Sequence, residues 1–245
     1  MKWDRTKGRP EPIRALNKVL EIDNREPLVD IRVACPSIKL PRETTIPFVR
    51  AGVAELLEKA ASNLPQGVYI AVTDAWRPFE RQAKIYEWVT RCLREAHPDI
   101  SYVGLRRRAC RWVAPIDQKA PPGHCTGAAV DIVLVNDALE ELDLISPYPR
   151  FTASPTYVYG LSETAQTNRM MMANAMLDAG FSNCRDEYWH YSYGDAGWAV
   201  RVGLTDCFYG LIELPEEHWR AKQVEWEEGL LARPNPFLRV AREEQ

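Results

Sequence analysis

Several things missing from this sequence narrow its chemistry. None of its six cysteines (Cys35, Cys92, Cys110, Cys125, Cys184 and Cys207) forms a Cys-x-x-Cys pair. That argues against a cysteine-rich zinc site and a thioredoxin-like redox motif. No run approaches the roughly 18 consecutive apolar residues of a membrane-crossing helix. Residues 1–10 carry charge but no apolar stretch or small-residue cleavage site. We therefore expect no export leader, a cytoplasmic location and reduced thiols. Also missing are His-Glu-x-x-His, Gly-x-Ser-x-Gly, a Walker A loop and Gly-x-Gly-x-x-Gly, which excludes helical metalloproteases, serine-hydrolase elbows and the common phosphate cradles. The formal charge is only −3, with a pI near 5.9, so nothing draws the whole chain to nucleic acid or an anionic membrane. The basic run Arg106-Arg107-Arg108 with Arg111 reads as a solvated loop in preference to a partner or anionic-substrate contact.

Against those absences, two short stretches stand out. The chain has four histidines in 245 residues. Two of them fall in Gly123-His124-Cys125-Thr126-Gly127-Ala128-Ala129-Val130-Asp131 and Glu187-Tyr188-Trp189-His190. A zinc hydrolase needs three nitrogen or oxygen ligands, an open position for water and a base for the water's proton. We read His124, Asp131 and His190 as the ligands and Glu187 as the base. An aspartate inside the apolar run Ala128-Ala129-Val130-Asp131-Ile132-Val133-Leu134-Val135 is costly to bury without compensation. Zinc or an arginine such as Arg77 would serve equally. Strict strand alternation would aim His124 and Asp131 at opposite faces, so the chain must bend between them, with Thr126-Gly127 the natural place. Glu187 and His190 likewise require a bulge or a turn into the strand. Cys125 is a formal alternative ligand or nucleophile. A nucleophilic Cys125 would leave His124 and Glu187 without a role. Arg77, in Thr73-Asp74-Ala75-Trp76-Arg77-Pro78, follows a strand and precedes a helix. It could hold a carboxylate or an anionic intermediate, though local sequence alone favours a surface pair with Asp74 or Glu80.

Periodicity predicts helices over 48–63, 79–96 and 162–179 and from 216 to about 231. It predicts strands over 67–73, 128–135, 188–193 and 207–214 and a strand-like run at 28–33. Residues 98–123 read as loop, and 136–161 as a long excursion of the lid or specificity kind. The mixture indicates an α+β fold: a single compact domain with a small, mainly antiparallel sheet flanked by helices and a zinc site at the sheet. We divide the chain into an N-terminal extension (1–26), a zinc peptidase domain (27–214) and a C-terminal helical extension (215–245) packed on it.

Three pieces, in this order, carry a resemblance: Asp74-Ala75-Trp76-Arg77-Pro78, His124 through Asp131, and Glu187-Tyr188-Trp189-His190-Tyr191-Ser192-Tyr193-Gly194-Asp195. They resemble the zinc D-alanyl-D-alanine dipeptidases of vancomycin resistance and peptidoglycan recycling, within a wider group that includes D,D-carboxypeptidases and phage endolysins. The resemblance runs from about Pro27 to Ala199. It implies one Zn2+ per chain on His124, Asp131 and His190, Glu187 as general base and Arg77 as transition-state stabiliser. It also implies a small D-amino-acid dipeptide as substrate, no nucleic-acid or membrane partner, and an oligomeric state left open. Two positions depart from the pattern. Pro122 stands where the family has serine, and no acidic residue lies near Pro155-Thr156-Tyr157-Val158-Tyr159 to receive a substrate amino terminus. The alternatives are a zinc D,D-carboxypeptidase or endopeptidase on peptidoglycan peptides, a hydrolase of a non-peptide amide, and a non-catalytic zinc-pinned peptide-binding module. A closed structural site would need neither Glu187 nor Arg77.

Overall fold

Residues 129–135, a nearly continuous run of apolar, mostly β-branched side chains interrupted by Asp131, form an inner strand of the main sheet. The computed structural model describes residues 5–238; the outermost parts of the two expected extensions, 1–4 and 239–245, lie outside the described residues. In chain order the elements are α1 (Ile13–Leu16), β1 (Leu20–Glu21), β2 (Leu28–Asp30), α2 (Ile31–Ala34), β3 (Phe48–Arg50), α3 (Ala51–Ser62) and β4 (Tyr69–Asp74). Next come α4 (Phe79–Ala96), α5 (Tyr102–Ala109), β5 (Ala129–Val135) and α6 (Glu163–Ala179). The chain continues through β6 (Ser182–Asn183), β7 (His190–Ser192), α7 (Ala196–Val202), β8 (Asp206–Cys207) and α8 (Arg220–Leu231).

The main sheet has the order β4-β5-β7-β6 and is antiparallel throughout. Lys39 bridges Ala71 beside β4, and Arg9 bridges Cys184 just beyond β6, both in parallel sense. Two small pairings lie outside it, β2 with β3 antiparallel and β1 with β8 parallel. The expected α+β architecture with a small, mainly antiparallel sheet is therefore what the chain adopts.

Val53, Leu57 and Ala60 of α3 and Met172, Met176 and Ala179 of α6 bury their apolar faces against Ile70, Val72, Ile132 and Leu134 of the sheet. Ser162 accepts the Ala165 N–H at 3.0 Å and caps α6, as its place before a helical run requires. A second cluster joins Val89, Cys92 and Leu93 of α4 to Leu105 and Ala109 of α5 and to Phe237. Leu16 and Val19 pack with Ala196, Ala199 and Cys207, and Trp219 packs with Ile46 and Trp76, so both ends of the described chain lie on the main body.

Several local expectations change. The helix expected over 48–63 begins only at Ala51, because Phe48–Arg50 pairs with β2. The run at 28–33 breaks into β2 and α2 where Asp30 accepts the Arg32 N–H. Residues 102–109, expected as loop, form α5 behind a Ser101 cap. The arginine run thus sits on a helix, with Arg106 paired to Asp117 at 2.7 Å. The strand expected over 207–214 is only Asp206–Cys207. The excursion over 136–161 has no helix or strand and is fastened by Arg169. That buried guanidinium donates to the carbonyls of Leu144, Ala153 and Pro155 at 2.6, 2.5 and 2.7 Å.

Candidate metal centre and its cleft

Strand register brings the first polar groups together. Asp131 is paired with His190 across β5 and β7, and with Asp74 across β4 and β5. Residues opposite one another on antiparallel strands project from the same face, so Asp74, Asp131 and His190 form a row. The Asp74 position depends on an irregularity between Val72 and Asp74, where the β4 register shifts.

His124 reaches the row from a 3-10 turn, Gly123–Thr126. Gly127 follows with φ +70°, and a Cβ there would stand 2.4 Å from Leu28 Cδ2. The bend expected at Thr126-Gly127 is therefore real, and only glycine fits it. Glu187 precedes β7 in a turn closed by the His190 N–H donating to the Glu187 carbonyl at 3.2 Å. The turn into the strand puts both side chains on the cleft.

The imidazoles of His124 and His190 lie 5.0 Å apart between ring centroids. One ligand atom from each of His124, Asp131 and His190 falls within 4.8 Å of the others. Asp131 Oδ1 is 3.2 Å from His124 Nε2 and 3.0 Å from His190 Nδ1. His124 Nδ1 lies 2.8 Å from the Ala75 carbonyl, so in a neutral ring its single N–H is committed there. The Nε2 lone pair then confronts a carboxylate oxygen, and a cation between them resolves that contact. A histidine oriented through its second nitrogen, beside a second imidazole and a carboxylate, is a donor set suited to zinc. Burial works against the ionised form of Asp131, but the two imidazoles that face it hold its carboxyl well below the usual range. Cys125 is buried, and that burial pushes its thiol up to about 12.

Arg77 is held beside the row. Its Nη2 donates to Asp74 at 2.6 Å and lies 3.9 Å from Asp131 Oδ2, while Nη1 donates to Gln82 Oε1 at 2.7 Å. Gln82 is itself buried and fixed by donating to the Ala114 carbonyl at 2.8 Å. The surface pair that local sequence favours for Arg77 is thus a buried one, pointed at the candidate ligands. Glu187 lines the same cleft. Burial and the charges of Asp131 and Glu11 push its carboxyl well above the usual range, against the pull of Arg77.

The cleft encloses about 1620 Å³, more than the roughly 300–1000 Å³ of an ordinary small-molecule pocket. Its walls include residues that sequence reasoning passed over. Gln82 was signalled only by its place one turn into the helix after Arg77. Glu11, on the N-terminal segment, comes to the cleft by folding and carries no local signal. Phe151 and Tyr157 from the excursion line it, as do Arg106, Arg107 and Arg111.

Residues 41–220 match the profile of the D-ala-D-ala dipeptidase family. The chain belongs to that family. A curated relative, the D-alanyl-D-alanine dipeptidase of Synechocystis sp. (strain PCC 6803), is 32% identical over 121 residues, which are 42% of this chain and 49% of the relative. The chain thus spans about half the length of the curated relative it matches. Among solved structures, VanYB in complex with D-Alanine-D-Alanine is 19% identical, with a TM-score of 0.40 over 64% of this chain and 79% of that one. A zinc-bound variant of the vancomycin-resistance D,D-pentapeptidase VanY is 17% identical, with a TM-score of 0.42 over 77% of this chain and 96% of that one.

Proposed function

We propose that this protein is a zinc-dependent dipeptidase that hydrolyses D-alanyl-D-alanine or a similar small D-amino-acid dipeptide. The observation that carries the reading is the convergence of His124, Asp131 and His190 within ligand distance of one another, on a cleft shared with Glu187 and Arg77. Family membership and the curated dipeptidase relative support it.

In this reading one zinc ion would be held by His124, Asp131 and His190. When bound, it supplies the Lewis acidity that activates water and polarises a carbonyl. Glu187 takes the proton of the attacking water on its carboxylate and passes it to the leaving amine. Burial and the charge of Asp131 raise the Glu187 carboxyl above its ordinary value, which makes it a better proton acceptor than an exposed glutamate. The Arg77 guanidinium, braced by Asp74 and Gln82, faces the charge that develops on the carbonyl oxygen. We assign this chemistry to residues 27–214, with the flanking segments as extensions packed on that unit. Cytoplasmic placement belongs to the same proposal; no helix among the described residues is long and apolar enough to cross a membrane.

A second reading, a zinc D,D-carboxypeptidase or endopeptidase on peptidoglycan peptides, is favoured by the cleft volume. Amine release from D-Ala-D-Ala and from a pentapeptide ending in D-Ala-D-Ala separates the two. Zinc-loaded protein should cleave the dipeptide, and both Glu187→Gln and EDTA treatment should abolish this. Cleavage of the pentapeptide alone would transfer the assignment to the second reading.

A further inference from the structure

The third sequence motif ends on Asp195, and nothing in the chemistry above uses that residue. Its surroundings are polar and buried. Ser182, Ser192, Asp195 and Arg201 are each more than nine-tenths buried. They come from β6, from β7, from the residue before α7 and from the last turn of α7. Arg201 Nε donates to Ser182 Oγ at 3.0 Å, and Nη2 of the same side chain donates to Ser192 Oγ. Ser182 and Ser192 stand opposite each other in the β6–β7 register, so one guanidinium staples two strands. Ser192 in turn donates to Asp195 Oδ1 at 2.6 Å, and that oxygen also accepts the Trp198 N–H at 2.6 Å, capping α7.

This joint touches both elements that carry the candidate histidines. Ser192 lies two residues beyond His190 on β7, and alternate residues of a strand share a face. The pair Ala129–Ser192 is therefore the next rung beyond Asp131–His190 on that face. Asp195 Oδ2 stands against the chain just before His124: a Cβ on Gly123 would lie 2.3 Å from it and 3.1 Å from the Ala129 Cβ. Two ligands from separate parts of the chain thus rest on one carboxylate and one hydroxyl. The joint also draws on the N-terminal segment. Glu11 Oε2 accepts from Arg201 Nη1 at 2.5 Å. The Arg201 side chain is only 1% exposed, and a guanidinium so placed is costly without a carboxylate partner. Glu11 lies outside residues 41–220, which match the family profile.

We infer that Asp195 and Arg201, joined through Ser192, are positioning residues of the metal centre, with Glu11 as the counter-ion that allows the arginine to be buried. The inference rests on the zinc reading and deepens it. These residues act through His124 and His190, whose spacing they hold, and outer contacts of this kind set how tightly a metal is bound.

The test is zinc affinity, measured by competition with a chromophoric chelator, together with the melting temperature of each metal-free protein. Ser192→Ala opens the joint but spares the α7 cap, and should weaken zinc binding about 10-fold. Asp195→Ala removes both joint and cap, and should weaken it about 10-fold to 100-fold. Asp195→Asn keeps an oxygen for both bonds and should bind zinc nearly as tightly as the parent. A residue that only capped a helix would lower the melting temperature of Asp195→Ala and leave zinc affinity unchanged. That result, or parental affinity in Ser192→Ala, overturns the inference. If the parent protein itself takes up no zinc, the zinc reading fails, an outcome distinct from variants that match a zinc-binding parent.

Discussion

The inner and outer walls of the cleft are built in different ways. The inner wall is three adjacent strands, where register alone sets Asp74, Asp131 and His190 in a row. The outer wall is made of segments gathered from distant parts of the chain: the stretch around Glu11, the excursion bearing Arg150 and Phe151, and the end of α8 with the residues after it. An aromatic triangle of Trp112, Phe151 and Phe237, with centroids 5.2 to 5.7 Å apart, ties two of these together. A pleated register holds positions to a fraction of an ångström, which bond-making chemistry requires. Loops fastened at a few points tolerate replacement, which suits the choice of substrate.

Changes to the inner wall should be catastrophic for activity. Removing zinc with a chelator should abolish hydrolysis, and adding zinc back should restore it, as read by amine release. Glu187→Gln should lower kcat by about 10²–10⁴-fold with zinc content unchanged by elemental analysis. A variant that lost its metal would place Glu187 among the ligands instead. Arg77→Ala should cost about 10²–10³-fold in kcat. Gln82→Ala, which only loosens Arg77, should cost about 10–100-fold. An equal loss in both variants would show that Gln82 supports the site through more than Arg77.

Effects on the outer wall should appear first as stability. Arg169→Met removes the donor from four carbonyls of the excursion and should destabilise the protein by about 1–3 kcal/mol, measured by urea unfolding. Residual activity at low temperature should remain. Loss of activity in a fully folded Arg169→Met protein would erase the distinction between the walls.

The smallest effect is a pH dependence with opposite signs for stability and activity. The Glu187 carboxyl is raised above its ordinary 4.5 in the folded chain, so the folded state binds that proton more tightly than the unfolded state. Stability from this group is therefore full below pH 4.5 and declines as pH rises through the raised value. Metal-free Glu187→Gln should thus melt at a higher temperature than the parent at neutral pH, and the gap should close on acidification. Activity of the zinc-loaded protein runs the other way: kcat/KM should fall on acidification, because a base must be deprotonated to act.

The inner wall was largely legible in the sequence. An aspartate in an apolar strand, histidines on either side and a glycine at the bend are local patterns with a physical cost, and costs leave traces. The outer wall was much less so. Glu11 meets Arg201 at 2.5 Å across almost two hundred residues, and nothing near Glu11 foretells that pairing. Helix α5 was missed because it is short, carries Gly104 and three successive arginines and lies between prolines at 98 and 115, and tertiary packing against α4 decides its conformation. The β2–β3 pairing shortened a helix whose apolar spacing runs unbroken from residue 48, since a strand partner outweighs periodicity at a helix end.

Arg9 and Lys39 are bridged to the two flanks of the main sheet. The Lys39 N–H donates to the Ile70 carbonyl, and the Val72 N–H donates back to the Lys39 carbonyl. On the far side, Gly8 passes so close to Cys184 that a Cβ would sit 2.5 Å from its carbonyl oxygen. Unpaired strand edges are templates on which a second chain can add. With both flanks occupied by irregular segments of its own chain, the sheet resists self-association through its strands. Trimming the first dozen residues would uncover one flank, and the cost should appear as turbidity on concentration even where each remaining molecule is folded.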